Sequence, residues 1–278
     1  MNTSSKKTSD SLEPILVNTD SGLPPIKEEK PKKIKKVLKI TFECLLLAVF
    51  LFIIAFSSEI IFLYARYSPF YVNGDSMYPT INASSKRSSS DAPNDGTWGN
   101  FDFGIDEWYT VDFGFMDAKD GFLNGLSRFN IVVAKYEDDT DKSPMKIKRI
   151  VGMPNESLYF DAVGDLYVKQ SGETEYSLVE QTFSLFHKES TNSQSVYAKG
   201  ESNPFTLGDD EYFLCGDNRY GSYSSDSRRK GSVHSNHILG RAVYIVGQVK
   251  FTKDIALGKD NASFNWLSAK LPWDFQKL

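Results

Sequence analysis

Residues 44–58 run for fifteen positions without a charge, inside a longer apolar stretch from Val37 to Tyr64. Coiled as a helix at about 1.5 Å per residue, residues 40–64 reach across a hydrocarbon layer of about 30 Å. The pattern predicts one transmembrane helix over residues 38–66, with Lys39, Glu43, Glu59 and Arg66 near its ends, where headgroups solvate charge. A cleavable signal sequence has a shorter apolar region, starts closer to Met1 and finishes in a small-x-small site. Residues 1–37, rich in Ser, Lys, Pro and Glu, hold too little apolar surface to repay ordering and read as a basic, disordered tail. Residues 1–39 carry nine Lys against five Asp or Glu, so the positive-inside rule puts the tail in the cytoplasm and residues 67–278 outside the cell membrane. The function then belongs to an extracytoplasmic domain held beside membrane lipid by a single span.

The chain as a whole has a net charge of −4, so its acidic excess lies beyond the tail, and this argues against nucleic-acid binding. With Cys44 and Cys215 as the only cysteines, neither a disulfide framework nor a Cys-based zinc site can be built. β-Branched and aromatic runs at 126–136, 158–168, 211–214 and 241–251, punctuated by Gly, Asn, Asp and Pro, predict strands. No long amphipathic helical pattern follows the span. The expected fold is therefore mainly β, with antiparallel sheets around one core. Two stretches, about 83–125 and 170–202, read as insertions. Asp102, Asp106, Glu107, Asp112 and Asp117 in the first fit no calcium-loop spacing and read as a solvated acidic loop. His234 and His237 lack the glutamate and third ligand of a zinc protease, so no metal and no cofactor is expected. Phe264, Trp266, Trp273 and Phe275 suit either a membrane interface or the domain's own core.

Three segments carry chemistry. In the first, Ser76 follows Gly74-Asp75 and precedes Met77 and Pro79, a tight turn able to expose a hydroxyl and leave a backbone N–H free for an oxyanion. In the second, Lys148 stands among Ile147, Ile150 and Val151, where strand alternation points it to one face and Arg149 to the other. An amine in apolar surroundings gives up its proton readily, and a neutral amine serves a serine as base without any histidine. The third runs from Gly216-Asp217-Asn218-Arg219 to Asp226-Ser227-Arg228 and suits a buried turn braced by an Asp–Arg pair.

In this order after a single N-terminal span, the segments resemble the bacterial type I signal peptidase family. Met77, Pro79 and Thr80 are similar to its nucleophile box, the run from Lys148 to Pro154 to its lysine box, and the third segment to its last box, with residues 128–133 as the strand between. The resemblance implies a signal-peptidase-like β fold and a serine endopeptidase with a Ser76/Lys148 dyad. Asp217, Asn218, Arg219, Asp226 and Arg228 would support the dyad, with Met77 and Pro79 near the substrate. A serine that positions the lysine amine is Ser222 counted from the front of the last box or Ser224 counted from its back. The substrates implied are secretory preproteins, cut after a small-x-small site. The alternative from a different class is a non-catalytic single-pass surface protein on the same fold.

Overall fold

The computed structural model describes residues 31–98, 106–136, 145–181, 195–219, 225–254, 259–265, 268–270 and 274–278. The chain divides into two units, residues 1–55 and 56–278. Helix α1, Pro31–Arg66, covers the predicted span, and it is long and apolar enough to cross a membrane. Leu45, Phe52 and Ile61 are each more than half exposed along it, which suits side chains that face lipid rather than a protein core.

The second unit is built on antiparallel strands. One sheet has the order β1 (Ser68–Tyr71), β2 (Trp108–Asp117), β11 (Ile238–Asp254), β3 (Ile131–Lys135), β4 (Met145–Gly152), β9 (Glu211–Cys215), β10 (Val233–His234), and β12 (Lys259–Asn265) and β13 (Gln276–Lys277) also pair with β11. Strand β11 pairs with four others because its register shifts at 238–240, 242–244 and 245–247. Such irregularities bend and twist a long strand, so its two ends serve different neighbours. A smaller sheet has the order β7 (Ser177–Val179), β6 (Leu166–Lys169), β5 (Ser157–Phe160), β8 (Phe205–Thr206). After β9 comes the short helix α2, Ser227–Lys230, with Asp226 as its N-cap.

The predicted run 158–168 forms not one strand but the hairpin β5–β6. Asp161 Oδ1 accepts from the N–H groups of Val163 and Asp165, and Gly164 takes φ +90°, so the side chain closes a turn in mid-run. A larger correction concerns 83–125. Part of this stretch is not peripheral at all, since β2 lies between β1 and β11. Nor is most of its acidic group solvated: Glu107 is exposed, but Asp106, Asp112 and Asp117 are buried and partnered by Ser89, Asn82 and Arg66 respectively. The sheet position of β2 draws Asp112 and Asp117 inward, where each is matched by donors. Asp102 lies outside the described residues. So do Trp266 and Trp273, whereas Phe264 packs on Phe113 and Phe275 against Tyr244, on the domain's own core.

Candidate active site

The chain leaves β1 at Tyr71 and enters a turn shaped by Gly74, whose φ of +120° is foreign to most side chains. Tyr78 N–H donates to the Asp75 carbonyl at 3.0 Å, and Ile81 N–H to that of Met77 at 3.0 Å. Val72, Met77 and Ile81 pin the turn into a cluster with Ile131, Val133, Ile147 and Ala242. Met77 has no exposed surface, so it packs beneath the turn instead of presenting a wall to a ligand; Pro79 is exposed. Ser76 itself is half-buried, and among the described residues its N–H donates to no partner.

Strand β4 lies between β3 and β9, with Lys148 opposite Val132 and Arg149 opposite Cys215. Alternation along it aims the two side chains differently. Lys148 is 3% exposed, and its Nζ lies 2.8 Å from Ser76 Oγ and 2.9 Å from the Ile147 carbonyl. Burial pushes the amine down to about 8; Asp226 opposes this, while Lys146 and Arg228 add to it. Arg149 turns to Asp217 and grips it with two bonds, Nε to Oδ1 at 2.8 Å and Nη2 to Oδ2 at 2.6 Å. Thr80 Oγ1 donates to the same carboxylate at 2.5 Å. Asp217 thus joins the segment after Ser76 to the residue after Lys148.

Asn218, Arg219, Asp226 and Ser227 of the third segment have no exposed surface. Asn218 N–H donates to the Ser76 carbonyl at 3.0 Å, and its Nδ2 to the Asp75 carbonyl at 3.1 Å. Arg219 donates to the Gly216 carbonyl at 2.7 Å and to Gln181 at 2.6 Å, and lies 5.2 Å over the Phe160 ring. Asp226 accepts from Gly216 N–H at 3.0 Å and from Arg228 through Nε and Nη2. Cys215, the other thinkable nucleophile, is pushed up to about 12 by burial and the Asp226 charge, which keeps it a thiol. Ser222 and Ser224 lie outside the described residues. The geometry therefore brings Ser76, Lys148, Asp217, Asn218 and Asp226 into one neighbourhood. His234 is elsewhere, beside Asp210.

A family model described as signal peptidase, peptidase S26, matches residues 41–247. The chain belongs to that family. A member of this family is a peptidase concerned with signal-peptide removal, and this one carries an N-terminal helix long and apolar enough to cross a membrane. The chain is also similar to a crystal structure of a signal peptidase I from Enterococcus faecalis V583, at 21% sequence identity over 42% of this chain and 95% of that one, with a TM-score of 0.26. Among curated proteins nothing matches. The S26 boxes account for Thr80 and Arg149, but sequence reasoning gave no structural role to Asn82, Asn94, Gly96 or Gln181. The turn-forming run Pro93-Asn94-Asp95-Gly96 was the one signal available for two of them.

Proposed function

We propose that this peptidase removes signal peptides from secretory preproteins with Ser76 as nucleophile and neutral Lys148 as general base. The observation that carries the reading is the 2.8 Å contact between Ser76 Oγ and a buried amine whose pKa is lowered to about 8. Neutral Lys148 takes the hydroxyl proton as Oγ attacks the carbonyl carbon after a small residue. The oxyanion so formed accepts from the Ser76 N–H. The C–N bond then breaks, Lys148 returns its proton to the leaving amine, and the acyl group stays on Oγ. A water molecule, deprotonated by the same amine, releases it. An extended peptide with small side chains facing shallow pockets fits a cleavage site of the small-x-small kind. Residues 1–37 form the cytoplasmic tail in this reading, 38–66 the span and 67–278 the extracytoplasmic peptidase domain.

The test incubates the full chain in detergent with a labelled preprotein and sequences the new N-terminus, while an acid-quenched sample is digested to locate the acyl group. A single cut after a small-x-small site with the adduct on the peptide holding Ser76 is expected. An adduct on any other residue, or no cut at all, sinks the proposal.

The same reaction predicts a pH profile. Asp226, Arg228, Lys146 and Cys215 are the charged or titratable groups that act on Lys148, and below pH about 8 the amine is protonated. Hence kcat/KM is expected to rise about tenfold per pH unit up to that point and flatten above it. Initial rates from pH 5.5 to 9.5, in a series of about nine buffers, check this. A flat profile removes Lys148 as the base.

A further inference from the structure

The segment after the nucleophile turn, which the sequence presents as an insertion, closes back on that turn through two asparagines. Asn82 is wholly buried and takes φ +65°. Its Nδ2 donates to the carbonyls of Val72 at 2.8 Å and Gly74 at 2.9 Å, while its Oδ1 accepts from the Asp112 N–H of β2 at 2.7 Å. Its own N–H donates to Asp112 Oδ2 at 2.7 Å. One side chain thereby cinches the start of the turn to its end and fixes both to the sheet.

Asn94, 4% exposed, adds a second tie. Its Nδ2 donates to Asp75 Oδ1 at 3.0 Å and to the Asn82 carbonyl at 2.7 Å, and its Oδ1 accepts from Gly96 N–H at 2.9 Å. Gly96 takes φ +83°, and a Cβ there would stand 2.6 Å from Tyr78 Cδ1. The Gly96 carbonyl accepts from Asn218 Nδ2 at 2.7 Å, the amide that also holds the Asp75 carbonyl. Asp75, the residue before the nucleophile, is thus held by its carboxylate from Asn94 and by its carbonyl from Asn218. The Ser76 carbonyl is held as well, by Asn218 N–H.

We infer that Asn82 and Asn94 are positioning residues that set the place of the Ser76 backbone for attack and for holding the oxyanion. The inference rests on the proposed role of Ser76. Neither asparagine touches the reacting atoms. Each acts through the turn, where a displacement of about 1 Å is enough to lower turnover a hundredfold.

Asn94 is the better probe, because Asn82 carries more of the fold. Full-length Asn94→Ala loses both donor contacts. Asn94→Asp keeps the shape and the bond from Gly96 N–H but turns a donor toward Asp75 into an acceptor. Cleavage of a preprotein is followed from pH 5.5 to 9.5 for kcat and KM, with the folded fraction taken from the amplitude of the melting transition. Both variants are expected to lose about tenfold to a hundredfold in kcat per folded chain, with KM and the pH midpoint within error of wild type. A purely structural role would lower the folded fraction or melting temperature and leave kcat per folded chain unchanged, and that result overturns the inference. Full turnover by Asn94→Asp alone overturns it too, since the donor would then not matter. A wild type that cleaves nothing sinks the proposed function and this inference together, whereas an active wild type with fully active variants sinks only the inference.

Discussion

Lys148→Met is expected to lose cleavage by about a hundredfold to ten-thousandfold and yet to melt higher than the wild type at pH 7. The loss follows from removing the proposed base, whose Nζ lies 2.8 Å from Ser76 Oγ. Ser76→Ala should lose at least as much, and the double variant little more than the worse single one, because the two groups act as a unit. The gain has a different source. Burial lowers the lysine from 10.5 to about 8, so the folded state holds its proton less tightly than the unfolded state does. That penalty is fully present below pH about 8 and fades as pH climbs from there toward 10.5, a window in which the unfolded chain binds more protons. Its size is about 3 kcal/mol. Methionine removes the penalty but forfeits the bonds to Ser76 and Ile147 at about 1 kcal/mol each. A net gain of about 1 kcal/mol remains at pH 7, or about 2–4 °C in melting temperature. Melts of both proteins at pH 7 and pH 10 measure it. The ordering should reverse at the higher pH, and a difference between the two proteins that is the same at pH 7 and pH 10 would show that the lysine is not held at an electrostatic disadvantage.

Asp217→Ala is expected to destabilise the domain by about 3–5 kcal/mol, because it strands the buried Arg149 guanidinium. The double variant Asp217→Leu, Arg149→Met removes both charges and should recover most of that loss. Activity should not recover with it, since Thr80 loses the carboxylate that ties the nucleophile segment to the lysine strand. Chemical denaturation of the detergent-solubilised chain gives the stabilities, and preprotein cleavage the activities. Equal recovery of both would mean that Asp217 serves only the fold. Failure of the double variant to regain stability would point instead to Thr80 as the main partner.

The long N-terminal apolar helix was legible because it needs only length and the absence of charge, and α1 is that helix. The strands at 211–214 and 241–251 were legible from β-branched and aromatic runs, which mark half-buried pleated surface whatever lies beside them. The hairpin within 158–168 was missed because a lone aspartate closing a turn leaves no break in the apolar pattern. Strand β2 was missed for a related reason: Gly114, Asp112 and Asp117 interrupt its periodicity, and all three suit the strand only through what they meet. At Gly114 a Cβ would fall 2.1 Å from the Tyr244 carbonyl. In the candidate site the resemblance of the three segments, taken in order, to the signal peptidase boxes made Ser76 and Lys148 stand out. Asn82 and Asn94 did not, since an asparagine that spans buried carbonyls is spelled the same way as one in a polar loop.

The groups that meet at Ser76 come from far apart in the chain: Lys148 lies 72 residues on from Ser76, and Asp217 lies 137 on from Thr80. Contacts of that separation form only after long loops have closed, late in the folding of a sheet. If Ser76 and Lys148 react as proposed, a partly folded chain has an ordinary serine and an ordinary charged lysine, and no means of hydrolysing its neighbours or itself. In that mechanism reactivity arrives with the closing of the sheet, so the topology acts as a clock that withholds the peptidase until it can discriminate what it cuts.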